Sequence, residues 1–279
     1  MKTTIISLAI LLALVTAVSV AAQRPVRTDS KILYHDGPVM TATSNAYFIW
    51  YGNWAGRENT VNLLTDFATS YGGSPYARIN TTYTNAGGIG PSGGLIYGGS
   101  AGDLYSQGAS LTEAGAVEVI TALLTAGGLP VDPRGIYLVL ASPDVHFEGF
   151  CTARCQYHES FDLSGTELKY GIVGNPDRCP TSCAAQFPAG STSPNADPGG
   201  DAMVSWMAHV LNETITNPED TGWYDRYGLE SSDKCQGTFG ETYLTSGGAL
   251  ANMLLGARNY LIQQNWINDR RGRCSLAYP

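Results

Sequence analysis

Six cysteines constrain the fold of this chain more than any other feature of its sequence. All of them lie in the second half of the chain. In an oxidising compartment six thiols predict disulfides, and they allow fifteen pairings. Their spacing favours three local pairs, Cys151 with Cys155, Cys179 with Cys183, and Cys235 with Cys274. The alternative is a zinc site, because two Cys-x-x-x-Cys pairs could supply four thiolates in tetrahedral geometry.

The amino-terminal residues decide between these alternatives, because they predict export. Residues 1–22 carry Lys2, an apolar run over 5–15 and small residues at 19–22, which is the pattern of a cleavable secretory signal. The run is too short for a permanent membrane span, and no later segment approaches ~20 consecutive apolar residues. The expected product is a secreted, extracytoplasmic protein without membrane insertion of the mature chain, and export favours disulfides over a thiolate zinc site.

Residues 23–279 are expected to form a single domain. No Pro/Ser-rich or charged linker divides them, and 43% hydrophobic residues suffice for a sizeable core. A net charge of −8 argues against nucleic acid or anionic lipid as a partner, because both are bound through Lys and Arg contacts with phosphate. Those two classes of partner are therefore excluded.

Apolar periodicity predicts alternating strands and helices. Strands are expected over 46–51, 78–83, 94–97, 136–140, 168–173 and 260–267, and helices over 58–71, 110–127 and 201–216. Because the two kinds of element alternate without an internal repeat, the expected architecture is α/β, with a mixed sheet and flanking helices stapled by disulfides.

Two glycine-rich segments resemble motifs of other enzymes. Residues 88–93 match a dinucleotide-binding fingerprint, but Pro91 and the glycines around it prevent the helix that should open there. Residues 98–102 match the nucleophile elbow around Ser100, but the next predicted helix begins only at Ser110, so the sharp strand-to-helix turn is absent. Both segments are therefore interpreted as glycine-rich structure rather than as sites.

The third predicted helix carries the most suggestive residues. His209 and Glu213 are four positions apart and project from the same face, which is how helical zinc sites begin. Zinc metallopeptidases place His-Glu-x-x-His on such a helix, where two histidines bind metal and the glutamate activates water. Here the second ligand position is Glu213 and the general-base position is Val210, which cannot accept a proton.

The remaining ligands of such a site must come from elsewhere in the chain. The candidates are Asp225, Glu230 and Asp233 downstream, and His158 upstream. The alternative without metal is an ordinary ion pair or hydrogen bond between His209 and Glu213 on the helix surface. Asn212 also begins an Asn-Glu-Thr glycosylation sequon, and a glycan at this position would argue against a buried metal.

Five separated motifs give the chain a family resemblance. They are Tyr-His-Asp-Gly-Pro-Val-Met at 34–40, Ile-Trp-Tyr-Gly at 49–52, Gly-Phe-Cys at 149–151, Val-Gly-Asn at 173–175, and the segment 208–224 from Ala-His through Asn-Pro to Trp-Tyr. Together with the terminal segment 258–274 they resemble the EXORDIUM-like family, also called phosphate-induced proteins. The resemblance covers nearly all of residues 23–279, in order.

The resemblance implies secretion and, for the plant members, a link to extracellular control of growth, but it implies no settled biochemical activity. The family helix usually reads His-Glu-Leu-x-Glu before Asn-Pro or Asp-Pro, so it looks like a zincin helix with Glu in place of the second His. Val210 is where this chain departs from that pattern. The expected site is zincin-like: His209 and Glu213 bind zinc, and Glu230 or Asp233 completes the shell.

If that site is catalytic, the expected class is a zinc-dependent peptidase or amide hydrolase, with Glu230 or Asp233 as the candidate for activating water. If the family binds metal only for structure or recognition, the departure at position 210 is harmless. The expected partner of a catalytic site is an extracellular peptide. The competing class is a protein that binds cell-wall polysaccharide without catalysis, through exposed aromatic residues such as Trp223, Tyr224 and Tyr227.

Overall fold

A five-stranded mixed sheet forms the centre of the computed structural model, which describes residues 31–187 and 190–279. The predicted signal, residues 1–22, lies outside the described residues. The strands are β1 (Ser44–Tyr51), β2 (Leu95–Asp103), β3 (Gly135–Ala141), β4 (Gln156–Leu163) and β5 (Thr166–Val173). Their order across the sheet is β2-β1-β3-β5-β4, and only β4, at one edge, runs antiparallel to its neighbour. The predicted α/β class with a mixed sheet is confirmed.

Helices cover both faces of the sheet. They are α1 (Glu58–Tyr71), α2 (Glu113–Thr125) and α3 (Pro198–Thr216), with a single further turn at Pro180–Cys183. Successive residues of β1 serve opposite faces: Phe48 lies in the core beneath α1 and α3, whereas Ile49 lies in the core beneath α2. Burial on both faces explains why β1 and β3 read as continuous apolar runs.

Helix α3 is the most deeply buried helix described. Its first turn is capped by Asp197, whose carboxylate accepts the N–H of Gly200 at 3.0 Å and the hydroxyl of Thr60 at 2.6 Å, so the cap also ties α3 to α1. Pro198 occupies the first helical position, where a missing N–H costs nothing. The helix therefore begins three residues before the predicted start at 201, and it ends at 216 as expected.

Close packing against the sheet fixes the position of α3. Gly171 of β5 lies under the helix, and a Cβ atom at that position would lie 2.3 Å from Cγ1 of Val210. Val210 is fully buried in the core between α3 and the sheet. The backbone of β5 and the helix can approach this closely only because position 171 has no side chain.

The remaining strands are short and pair outside the central sheet. They are Leu33–Tyr34 with Trp223–Tyr224, Ser110–Leu111 with His146–Phe147, Tyr243–Leu244 with Leu250–Ala251, Met253–Leu255 with Arg258–Tyr260, and Asn265–Ile267 with Arg273–Ser275. Short 3-10 helices occupy Ala77–Thr82, Pro176–Arg178 and Asp233–Cys235. Ser100 lies within β2, so the arrangement of a nucleophile elbow is absent there.

Two predicted strands are wrong. Residues 78–83 belong mainly to the 3-10 helix Ala77–Thr82, where hydroxyls of Thr81 and Thr82 bond to carbonyl groups three residues back. The strand expected over 260–267 is interrupted, because the Asn252 side chain bonds to both the N–H and the carbonyl of Ile262. A side chain thus occupies the groups that a strand partner would have used.

Three disulfides staple the fold, but two predicted pairings are wrong. The bonds join Cys151 to Cys179, Cys155 to Cys183, and Cys235 to Cys274, so only the last predicted pair is confirmed. Cys179, which precedes the single turn Pro180–Cys183, and Cys183, which ends it, are four positions apart, and each bonds to a cysteine of the segment before β4. Because all six cysteines are oxidised in pairs, the four-thiolate zinc site is excluded.

These disulfides fit an extracellular protein, because such bonds persist in oxidising compartments. Within residues 31–187 and 190–279, no helix combines the length and apolar character needed to cross a membrane.

Candidate metal centre

An acidic cleft lies between the start of edge strand β4 and the chain that follows α3. Its volume is about 420 Å³, within the range of small-molecule sites. The residues that line it are Gln156, Tyr157, His158, Glu159, Glu213, Asn217, Asp220, Tyr224, Gly228, Glu230 and Asp233. None of these described lining residues is a lysine or an arginine, so the cleft favours cations over anions.

The first cluster consists of His209, which is buried, and of Glu213 and Asp233, which line the cleft. The His209 Nε2 atom lies 2.7 Å from Glu213 Oε2 and 3.4 Å from Asp233 Oδ1. The helical repeat brings the first two together, and the 3-10 helix Asp233–Cys235 supplies the third. His209 and Glu213 are 1% and 2% exposed, so an interior pair rather than a surface ion pair is present.

The imidazole of His209 is held by one nitrogen and left open at the other. Its Nδ1 atom lies 2.8 Å from the side-chain nitrogen Nε2 of Gln263, so this amide fixes the orientation of the ring. Its Nε2 atom is buried, yet no oxygen is aligned to form a hydrogen bond with it, despite the nearby carboxylates. A buried imidazole nitrogen beside two carboxylates combines ligand types that zinc sites use, and in the metal-free protein the same contacts form a buried ion pair.

Glu213 is oriented by backbone groups. Its Oε1 atom accepts the N–H groups of Ser232 at 3.1 Å and Asp233 at 3.0 Å, at the start of the 3-10 helix. These donors stabilise the ionised carboxylate and turn Oε2 towards His209. The same contacts bring Asp233 to the site, so the Glu213 carboxylate positions Asp233 as well as contacting His209.

The second cluster consists of His158 and Glu230, again with Glu213. His158 projects from β4, and its Nε2 atom lies 3.1 Å from Glu230 Oε2 and 3.9 Å from Asp220 Oδ1. Asn217, the residue that ends α3, donates to Glu230 Oε1 at 2.6 Å. Donor atoms of His158, Glu213 and Glu230 lie within 4.8 Å of one another, as do those of the first cluster.

The charges in the cleft shift the pKa of both histidines. Burial by itself lowers the pKa of His158, but the negative charges of Glu230, Glu213 and Asp220 outweigh burial and raise it to about 9. Burial also opposes protonation of His209, and Glu213 and Asp233 together raise its pKa to about 10. Without a metal ion, protons on His158 and His209 therefore balance part of the negative charge of the carboxylates.

The carboxylates respond in opposite directions. Burial and the charge of Asp233 raise the pKa of Glu213 to about 7. Burial opposes ionisation of Asp233 as well, but His209 outweighs it and lowers the pKa of that carboxyl group. Perturbed groups of this kind, gathered in a cleft, are typical of functional sites.

These shifts predict that the metal-free protein loses stability at alkaline pH. Because the pKa of His158 rises from ~6.5 in the unfolded chain to about 9 in the folded protein, the folded state binds its proton more tightly. The resulting stabilisation is fully present below pH ~6.5 and disappears as the pH rises through the folded pKa. Urea denaturation in the presence of a chelator, at several values of pH across this window, measures the effect.

Two histidine variants provide the comparison. We expect His158→Gln to flatten the pH dependence, whereas His146→Gln, at a histidine outside the cleft, should leave it as in the wild type. If the free energy of unfolding depends on pH equally in the wild type and in His158→Gln, the assignment of the proton to His158 is contradicted.

Five of the predicted site residues converge here: His158, His209, Glu213, Glu230 and Asp233. Asp225 does not, because it lies buried beside Lys234, with its Oδ2 atom 3.3 Å from the lysine Nζ atom. Sequence reasoning missed Asp220 and Gln263 entirely and treated Asn217 only as a helix stop. Asp220 lies within segment 208–224 and Gln263 within segment 258–274, but neither forms a ligand-spacing pattern with a neighbour, so no local signal marked them as site residues.

Two of the three aromatic residues named for polysaccharide binding, Trp223 and Tyr224, pack within the fold, whereas Tyr227 is 45% exposed. Trp223 donates its indole N–H to the carbonyl of Thr84 at 3.0 Å, and its ring packs against Tyr34 and Tyr83. Tyr224 stacks on His35 with ring centroids 3.7 Å apart. Both aromatic residues therefore help to join the amino-terminal segment to the rest of the fold.

Comparison with known proteins identifies the family. The phosphate-induced protein 1 conserved region matches residues 32–255. The chain belongs to this EXORDIUM-like family. Protein EXORDIUM-like 3 of Arabidopsis thaliana is 32% identical over 275 residues, which cover 85% of this chain and 80% of the relative. Protein EXORDIUM-like 5 of the same plant is 31% identical over 282 residues, covering 87% and 76%.

A further relative, Protein PHOSPHATE-INDUCED 1 of Nicotiana tabacum, is 29% identical over 234 residues, which cover 74% of this EXORDIUM-like chain and 72% of that protein. No solved structure matches the chain. The family is thus shown by sequence, and the names of these relatives specify no reaction.

The structure gives a physical meaning to the departure of this EXORDIUM-like protein at position 210. Val210 contacts the sheet at Gly171 and is fully buried, whereas Glu213 lines the cleft and His209 lies buried beside Glu213. A proton acceptor is therefore absent from this position, and Val210 contributes to the packing of α3 instead.

Proposed function

We propose that this EXORDIUM-like protein is secreted and holds a zinc ion between His209, Glu213 and Asp233, with α3 serving as a zincin-like helix. The observation that carries the proposal is the buried His209 Nε2 atom, which faces two carboxylates without an aligned hydrogen bond. We further propose that the site hydrolyses peptide or amide bonds.

The donor set fits zinc. One imidazole nitrogen and two carboxylate oxygens are ligands that zinc accepts, and three protein ligands leave the fourth position open, as in catalytic zinc sites. The side chain of Gln263 contacts the other ring nitrogen of His209, and such a contact usually orients a metal-binding histidine. Ligation requires His209 in its neutral form with Nδ1 protonated, so the amide oxygen of Gln263 would face that nitrogen in the loaded site.

The reaction class follows from the donor set and the cleft. Bound zinc polarises a carbonyl group and lowers the pKa of a coordinated water. The cleft accommodates a substrate next to the open side of the cluster, and its negative charge disfavours phosphate esters. Because Val210 faces the sheet and Asp233 is assigned to the metal, a proton acceptor must come from another cleft carboxylate, with Glu230 as the candidate.

The test is metal content together with hydrolysis. We expect zinc to remain bound to the wild type after mild dialysis, and we expect His209→Ala to lose one equivalent or more by elemental mass spectrometry. His146→Ala, outside the cleft, should keep the wild-type content. Cleavage of a quenched fluorescent peptide library should then require zinc and disappear in His209→Ala.

Circular dichroism and thermal unfolding establish that each variant is folded. The same zinc content in His209→Ala and the wild type would refute the metal assignment. Retained zinc in the wild type with no cleavage of peptides or amides would refute the hydrolase and leave the metal assignment intact.

A further inference from the structure

We propose that the cleft holds two divalent ions rather than one, with Glu213 as their shared ligand and with His158 and Glu230 completing the second site. The inference rests on the proposed zinc site and deepens it. It gives the edge-strand histidine a role that the first site does not require.

The geometry contains two triads that meet at one residue. His209, Glu213 and Asp233 form the first, and His158, Glu213 and Glu230 form the second. Within each triad the donor atoms lie within 4.8 Å of one another. A single ion can satisfy one triad, but the second imidazole then remains without a metal in the same cleft.

The second triad is built as a site and not only as a group of acids. His158 is 7% exposed, so its imidazole is held in the interior beside the carboxylates. Its Nε2 atom lies 3.1 Å from Glu230 Oε2, and Asn217 holds the opposite oxygen of Glu230 at 2.6 Å. The carboxylate is thus oriented by α3, and the imidazole by β4.

Charge balance supports two ions. Five carboxylates line this cleft, those of Glu159, Glu213, Asp220, Glu230 and Asp233, and the two triads add two imidazoles. When the imidazoles are neutral, as ligation requires, these carboxylates carry five negative charges. One divalent ion leaves three charges uncompensated, whereas two ions leave one, and the side chains of Glu159 and Asp220 are exposed to water. Uncompensated charge in a largely buried cluster is costly, so the second ion is favoured.

A pair of ions also accounts for the chemistry that position 210 lacks. In two-metal hydrolases the ions together generate the nucleophile and stabilise the attacking and leaving oxygens. A glutamate next to the first histidine is then not required. The valine that packs against Gly171 is compatible with catalysis at a two-metal site.

The experiment measures stoichiometry with zinc alone as the probe. Elemental mass spectrometry and calorimetric titration of the chelator-treated protein should give two equivalents for the wild type and for the control His146→Ala. His158→Ala should retain one equivalent, and so should Glu230→Gln, which changes only the charge and one oxygen. Manganese in place of zinc should give the electron paramagnetic resonance spectrum of a spin-coupled pair in the wild type and of an isolated ion in His158→Ala.

The outcomes distinguish failure of the second metal site from failure of the proposed zinc site at His209. One equivalent in the wild type, unchanged in His158→Ala and Glu230→Gln, would overturn the second site and leave the first intact. No zinc in any variant would overturn both. If His158→Ala fails to fold, Glu230→Gln decides alone: two equivalents in that variant would overturn the role of Glu230 as a ligand.

Discussion

Replacing Lys234 with methionine is expected to lower the free energy of unfolding by about 3–5 kcal/mol, because one partner of a buried ion pair is lost. Lys234 and Asp225 are both fully buried, and Lys234 Nζ lies 3.3 Å from Asp225 Oδ2. The ammonium group also lies 5.3 Å from the centroid of the Trp266 ring. Without the lysine, the buried carboxylate of Asp225 loses the positive charge beside it.

A double variant isolates this cause. Asp225 Oδ1 accepts the N–H groups of Tyr227 and Leu229, and an asparagine can keep these contacts without the charge. We therefore expect Lys234→Met with Asp225→Asn to recover most of the stability lost by Lys234→Met alone. Lys31→Met, at an exposed lysine, should change stability by less than ~0.5 kcal/mol. Chemical denaturation measures all of these, and no recovery in the double variant would contradict the electrostatic explanation.

Replacing Asn212 with leucine is expected to cost about 2–4 kcal/mol, because buried donors lose their acceptor. Asn212 is fully buried on α3, where its Oδ1 atom accepts the hydroxyl of Tyr71 at 2.6 Å and the amide of Asn80 at 3.0 Å. Its Nδ2 group donates to the hydroxyl of Tyr76 at 3.1 Å. This network holds the helix beside Glu213 and His209 against α1 and the 3-10 helix Ala77–Thr82.

The matched control is Asn62→Leu, at an exposed position of α1. We expect it to change the free energy of unfolding by less than ~0.5 kcal/mol. If urea denaturation gives equal values for the two leucine variants, the network does not stabilise the fold. Burial of Asn212 also means that its sequon is inaccessible in the folded protein.

Local periodicity was enough to find the helices but not the edge strand. The helix predicted over 58–71 has the observed bounds, because its apolar spacing and the glycines after it are local signals. Strand β4 was missed, since it reads Gln-Tyr-His-Glu-Ser-Phe-Asp-Leu and has the polar character of an edge. Antiparallel pairing with β5 makes this segment a strand, which its polar sequence does not indicate.

In the candidate site, too, local contacts could be predicted from the sequence and long-range contacts could not. The spacing of His209 and Glu213 on one helical face could be read from the sequence, because the α-helical repeat brings i and i+4 together. His158 and Glu230 could be named only by residue type, because they are 72 positions apart and meet through the packing of β4 against the chain after α3. The orienting amide of Gln263 comes from 54 positions beyond His209, so it had no local signal.

The disulfides Cys151–Cys179 and Cys155–Cys183 cross-link the same two segments of the chain twice. Both join the segment before β4 to the segment after β5, and both span 28 positions. Once either bond closes this ring, the other closes a shorter additional loop, so it removes less chain entropy from the unfolded state than the first bond did. Losing one bond therefore leaves the ends of the β4–β5 hairpin joined, and His158 stays in register with the cleft after partial reduction.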